Sequence, residues 1–178
     1  YFDVAPSYED AQETLGNSLQ HVRKDIFLAC KTMRRFRTEA EKELKQSFEL
    51  LHTDYFDVYQ LHAITTQEDL DQAFGPNGVM ELMIKAKQDG LVRTLGITAH
   101  SEEMALKAMA QYDFDTVMFP MNWMMNMRNQ MGTKLCHDAK QRKMGIIGIK
   151  SLVHRRWSDS SEKNGSRHPK SWVKPIDI

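Results

Sequence analysis

Four polar side chains stand at or just beyond the ends of successive apolar runs: Asp3, Tyr8, Lys31 and His62. A phenol is a weak proton donor near neutral pH, because its ordinary pKa is about 10. An ammonium beside it stabilises the phenolate, and a carboxylate beside the ammonium keeps the lysine charged in a partly desolvated place. Tyr8, Lys31 and Asp3 are the candidates for that relay, and the imidazole of His62 is the candidate for hydrogen-bonding and orienting a substrate carbonyl. Singly, each residue has an ordinary reading. An Asp in a strand is usually a cap or turn residue, a strand-end Lys a solvated cation, and a His a satisfied core residue. Tyr8 alone says little. Four such groups at consecutive strand ends are poorly explained by those separate readings.

The elements that must position them are legible as alternation. Six short apolar runs read as strands: YFDVA (1–5), IFLAC (26–30), DVYQLH (57–62), TLGIT (94–98), DTVMFP (115–120) and GIIGIK (145–150). Helix-period stripes fall between them, on Leu15, Leu19 and Val22, on Leu44, Phe48 and Leu51, on Val79, Leu82, Met83 and Ala86, and on Leu135, Cys136 and Ala139. Thr38 with Glu41 predicts a capping box, and Ser101 followed by Glu102 and Glu103 predicts an N-cap with an acidic first turn. Gly90 and Gly145 are expected to close the helices before them.

Strands that are apolar throughout, joined by long crossovers, predict a parallel sheet covered on both faces and hence an α/β fold. The dinucleotide fingerprint of a doubly wound sheet follows none of the strands, and no phosphate-binding loop of the Walker type is present. Polar residues at the C-terminal strand ends favour a (β/α)8 TIM barrel, which builds its chemistry there, represented by about six βα units of an incomplete barrel. Residues 1–157 form the expected barrel unit, and 158–178 read as a polar loop or flexible C-terminal segment.

Composition narrows the partner. At 178 residues one domain is expected, and 24 basic residues balance 24 acidic ones, so no charge argument supports nucleic acid or an anionic membrane. The longest apolar stretch, TVMFPMNWMM, is too short to span a bilayer, and no signal-peptide pattern opens the chain. A cytoplasmic protein acting on a small molecule is the expectation; the oligomeric state stays open. Cys30 and Cys136 have neither metal-ligand nor disulfide spacing, which suits a reducing compartment, and no metal site is expected.

The blocks FDVAPSY, LACKT, DYFDVYQLHA and LGITAHS resemble, in order, those of the aldo-keto reductases, in particular bacterial-type members with an LHA block and an MFPMN-like sixth strand. The resemblance runs from residue 1 to about residue 157. It implies a (β/α)8 barrel seen here from its second to its seventh strand, without the first and the eighth. It also implies reduction of an aldehyde or ketone with NADPH (NADH possible), and a tetrad of Asp3, Tyr8, Lys31 and His62 in which Tyr8 protonates the nascent alkoxide. For the cofactor, the family's Ser-Asn pair corresponds to Thr98 and Ala99, its carboxamide-binding Gln to Met118, and Lys150 would face the pyrophosphate. Ala99 and Met118 depart from amide side chains, and Glu9 stands where many relatives have Gly. The Met-rich segment 121–127 is expected as a pocket wall or a loop packed on the barrel, with Trp123 lining the pocket or simply packing. Two other readings stay open: a non-catalytic barrel that binds nucleotide or a protein, and a cofactor-free lyase or epimerase using Lys31 and His62.

Overall fold

The computed structural model describes residues 1–151. The six strands are β1 (Phe2–Asp3), β2 (Leu28–Thr32), β3 (Phe56–Ile64), β4 (Val92–Ala99), β5 (Thr116–Pro120) and β6 (Gly145–Ile149). The helices are α1 (Ala11–Leu19), α2 (Arg37–Leu50), α3 (Gln67–Phe74), α4 (Val79–Gln88), α5 (Glu102–Gln111), α6 (Trp123–Asn129) and α7 (Thr133–Gln141), with a 3-10 turn at Gln20–Asp25. All neighbouring strands pair in parallel, in the order of the chain, and the sheet curls into a half-barrel. The expected tail, 158–178, lies outside the described residues, as do the last residues of the expected 1–157 unit.

Register arranges the interior in layers. Asp3 pairs with Ala29, and Ala29 with Val58, forming one row. Two residues further along each strand, Lys31, Gln60, Gly96, Thr116 and Gly145 form the next. Side chains alternate between the faces of a strand, so Lys31 and Gln60 share a face with Asp3. The opposite face packs against helices: Cys30, Tyr59, Leu61, Leu95, Ile97, Val117 and Phe119 are fully buried in the apolar core. Asp57, almost fully buried, ties β3 to the start of β2. Its carboxylate accepts from the Leu28 N–H at 2.9 Å and pairs with Arg23 at 3.0 Å and Arg93 at 2.7 Å.

Several element boundaries differ from the sequence expectation, each for a local reason. β2 starts at Leu28 and ends on the polar Lys31 and Thr32, two residues later than the apolar run. Both polar groups are satisfied inside the fold, Lys31 by Asp3 and Tyr8 and Thr32 by Glu43 at 2.6 Å. The capping box at Thr38 and Glu41 does not form. Helix α2 begins one residue before Thr38, with Phe36 at its N-cap and no side-chain cap. Backbone meets the need instead, since the Arg37 N–H donates to the Asn77 carbonyl at 2.8 Å beside a Phe36–Gly78 bridge. The capping box that does form is Thr66 with Asp69 on α3. Ser101 caps α5 as expected, accepting from the Met104 N–H at 3.3 Å. Gly90 follows α4 in the left-handed region, whereas Gly145 opens β6, and α7 is closed by Lys143 at φ 58°. Helix α1 buries Gln12 and Gly16 most deeply rather than Leu15 and Leu19, and ends before Val22. Gly16 is required by close approach to α2, since a Cβ there would lie 2.1 Å from the Leu50 carbonyl oxygen. The Met-rich segment forms α6, capped by Asn122 accepting from the Met125 N–H at 2.9 Å.

Candidate active site

Asp3 ends the two-residue strand β1, fixed to β2 by the Phe2 N–H on Phe27 O at 2.8 Å and the Val4 N–H on Ala29 O at 3.0 Å. Its carboxylate Oδ2 receives Lys31 Nζ at 2.5 Å, and the same ammonium donates to Tyr8 Oη at 2.9 Å. Lys31 is 2% exposed and Asp3 21%. The lysine is therefore held in a dry place by one carboxylate, with its cation on the phenol. The three residues of the expected relay are in direct sequence-distant contact.

Tyr8 lies beyond Pro6 in a turn closed by its own N–H on Ala5 O at 3.0 Å and by the Ala11 N–H on Tyr8 O at 2.9 Å. Glu9, where a glycine was the family expectation, occupies the left-handed region at φ 49°. Such a conformation costs a non-glycine residue roughly 1–2 kcal/mol. Tyr8 itself is 42% exposed.

His62 meets Tyr8 edge to face, with ring centroids 6.0 Å apart. The Nδ1 of His62 is buried and has no hydrogen-bond partner among the described residues. Burial, followed by the charges of Lys31, Arg35, His100 and Lys150, pushes the imidazole pKa down to about 4. The ring is neutral at physiological pH and can share a proton with a carbonyl oxygen without adding a charge. Backbone around it is clamped: Arg35 donates to His62 O at 3.0 Å and Ala63 O at 3.3 Å while pairing with Asp69 at 2.8 Å. Ala63, at φ 54°, donates its N–H to Thr98 Oγ1 at 2.8 Å.

Burial, with these charges, fixes a pH response. In the unfolded chain the imidazole takes up a proton below its ordinary value of about 6.5. In the folded protein it stays neutral down to about 4. The unfolded state binds more protons across that interval, so stability falls as pH drops from about 6.5 toward 4. His100, lowered by burial and Lys150, adds to the same fall. Urea midpoints compared at about pH 7 and about pH 4.5 should drop less in His62→Gln than in wild type. An equal drop in both would remove His62 from this account.

The four positions expected at a cofactor are placed as follows. Thr98 and Ala99 end β4 and Met118 lies in the middle of β5; all three are buried, with Ala99 in the apolar core. Thr98 Oγ1 already accepts the Ala63 N–H, which leaves its O–H as the one side-chain donor of the three. Lys150 follows β6, exposed and in the left-handed region at φ 57°. A nicotinamide nucleotide would thus have the Thr98 hydroxyl for its amide and the Lys150 ammonium for its phosphates, with the orphaned His62 Nδ1 facing the same end of the sheet. Among the described residues, no group of three His, Cys, Asp or Glu could hold a metal ion. No described helix is long and apolar enough to cross a membrane. Trp123 is 66% exposed at the rim of a cavity of about 500 Å³ that Met121, Met131 and Cys136 also line.

Sequence reasoning passed over three groups around the tetrad. Gln60 donates to Asp3 Oδ1 at 2.8 Å, Arg35 clamps the β3 exit, and His100 adds an imidazole near Lys150. Gln60 carried a signal: it lies two residues before His62, between the apolar Tyr59 and Leu61, on the face that bears Lys31.

A curled parallel sheet whose ionisable groups gather at the C-terminal strand ends is the architecture of a TIM-barrel protein. The sequence profile of the Aldo/keto reductase family matches residues 1–176, and the chain belongs to that family. An uncharacterized oxidoreductase of Bacillus subtilis, YqkF, is 31% identical over 113 residues, covering 56% of this chain and 35% of that protein. In fold, the chain is similar to a Bacillus halodurans aldo-keto reductase in its holo form, with a TM-score of 0.69 and 20% identity over 88% of this chain and 56% of that one. It is also similar to an aldo-keto reductase from Klebsiella pneumoniae in complex with NADPH, with a TM-score of 0.66 and 20% identity over 83% of this chain and 51% of that one. The chain spans about a third of the curated relative's length and little more than half of the solved chains.

Proposed function

We propose that this chain carries the proton-transfer half of an NAD(P)H-dependent carbonyl reductase, which converts an aldehyde or ketone to an alcohol. The observation that carries the reading is Lys31 Nζ bridging Asp3 Oδ2 and Tyr8 Oη, with the His62 ring against Tyr8. A reduced nicotinamide nucleotide, when bound, supplies a hydride for the carbonyl carbon. Tyr8 donates its proton to the oxygen as negative charge develops there, and the Lys31 ammonium stabilises the phenolate left behind. Asp3 keeps that ammonium charged and aimed. His62, neutral, orients the carbonyl oxygen toward Tyr8. The exposed edge of Tyr8 then recovers a proton from solvent. Thr98 and Lys150 are the residues assigned to the nucleotide's amide and phosphates, with Met118, in register with Thr98, as apolar wall, while Ala99, packed in the core, is not available to the nucleotide. Two free thiols, Cys30 and Cys136, suit a reducing cytoplasm.

A lyase or epimerase reading asks Lys31 to act as a free base, and its two contacts with Asp3 and Tyr8 speak against that role. A binding module without turnover is favoured by one observation, the absence of amide groups at Ala99 and Met118. The two remaining readings separate in one experiment on the full-length parent protein. NADPH fluorescence is recorded on adding protein, and absorbance at the nicotinamide band after adding a reactive aldehyde. The reductase reading expects both a binding signal and nucleotide consumption. Binding with no consumption across a panel of aldehydes and ketones would favour the binding module.

A further inference from the structure

Asp3 has two carboxylate oxygens, and only one faces Lys31. The other, Oδ1, receives Gln60 Nε2 at 2.8 Å, from a residue that is completely buried two strands away. The carbonyl oxygen of the same amide, Gln60 Oε1, is buried without a hydrogen-bond partner among the described residues. An unpaired buried acceptor is unfavourable, and a Met or Leu of similar size would fill this space without it. Packing alone therefore does not account for an amide here. The N–H on Asp3 does.

The surroundings are shaped to let that amide lie across the sheet. Gln60 is in register with Lys31 on β2 and with Gly96 on β4. A Cβ on Gly96 would lie 3.0 Å from Gln60 Cγ and 2.4 Å from Thr116 Oγ1, so the missing side chain is what admits Gln60 beside Thr116. Asp3 needs such an anchor. It stands on a two-residue edge strand with no sheet neighbour on its other side among the described residues. With one oxygen held only by a flexible lysine, the carboxylate would be free to turn about its own axis, and Lys31 would turn with it away from Tyr8.

We propose that Gln60 is a positioning residue: by fixing the second oxygen of Asp3 it sets the direction of the Asp3–Lys31–Tyr8 chain. This rests on the reductase reading for its effect on turnover, but its structural part is separable from that reading. The charged groups facing position 60 are Asp3 and Lys31.

The test uses the full-length parent protein with tyrosine labelled at the ring carbon that bears the hydroxyl. Five tyrosines occur in the sequence, and the Tyr8 signal is the one missing in Tyr8→Phe. In Gln60→Met, which keeps shape and removes the donor, the Tyr8 resonance should shift, because the hydrogen bond at its hydroxyl has changed. Turnover number should fall ~10-fold, as for other groups that orient a ligating or catalytic side chain, with KM and nucleotide affinity unchanged. Gln60→Glu serves if the first variant does not fold. Its carboxyl can donate to Asp3 only while protonated, so its loss of turnover should deepen as pH rises. An unmoved Tyr8 resonance in a folded Gln60→Met overturns the proposal, whatever turnover does. Should the parent protein show no carbonyl reduction at all, the reductase reading falls, while the Tyr8 resonance still decides whether Gln60 positions the chain.

Discussion

Tyr8→Phe should lower turnover of an aldehyde by ~10²–10⁴-fold, the usual contribution of a positioned general acid. Nucleotide binding should be unchanged. The expectation follows from geometry. The Tyr8 hydroxyl ends the chain that runs from Asp3 through Lys31, and apart from the Asp3 carboxylate no other side-chain hydroxyl or carboxyl group among the described residues shares that ammonium. Phe keeps the ring and its edge-to-face contact with His62, so the loss would belong to the proton and not to packing. The check is kcat and KM together, with nucleotide affinity measured by fluorescence. A lysine- or histidine-based lyase would tolerate this change, and a wild-type rate in Tyr8→Phe would favour that class.

Lys31→Met should have an effect as large on turnover and a larger one on stability. Lys31 is buried at the end of β2, and its removal leaves Asp3, 21% exposed, with the Gln60 amide as its one side-chain partner among the described residues. Breaking a buried ion pair from one side costs roughly 3–5 kcal/mol, and the partial exposure of Asp3 places this case toward the lower end. Chemical denaturation measures the stability loss, and steady-state kinetics the turnover. Restoring neutrality should recover stability in part: Asp3→Asn combined with Lys31→Met should be more stable than Lys31→Met alone, because no unpaired charge remains. Turnover should not recover, because the ammonium that supports the phenolate is still missing. A double variant as active as wild type would show that the pair is structural only.

The parallel sheet was legible because apolar runs and helix-period stripes alternate, and every expected strand lies within two residues of its place. Lys31 shows why a boundary moved. Polar letters at a run's end read as strand exit, yet Asp3 and Tyr8, 28 and 23 positions away in the chain, satisfy Lys31 inside the strand. Phe36 shows the same for helix α2, whose start is set by backbone from the loop before α4 and not by the nearby Thr38. Asp3, Tyr8, Lys31 and His62 were legible as a group because consecutive parallel strands put their ends side by side. Gln60 stood out by position but not by role, because an amide between Tyr59 and Leu61 has no local partner to announce what it holds. Only the fold reveals that its partner is Asp3, 57 residues earlier.

If carbon receives a hydride and oxygen a proton in one site, the fate of the transferred hydrogen decides the matter. The parent protein is given an aldehyde and a reduced nicotinamide nucleotide deuterated at the C4 position that transfers, in ordinary water. One deuterium should appear on the carbinol carbon of the product and be lost from the nucleotide in equal amount. Turnover to an alcohol without deuterium at that carbon, or nucleotide bound and never consumed, would contradict it.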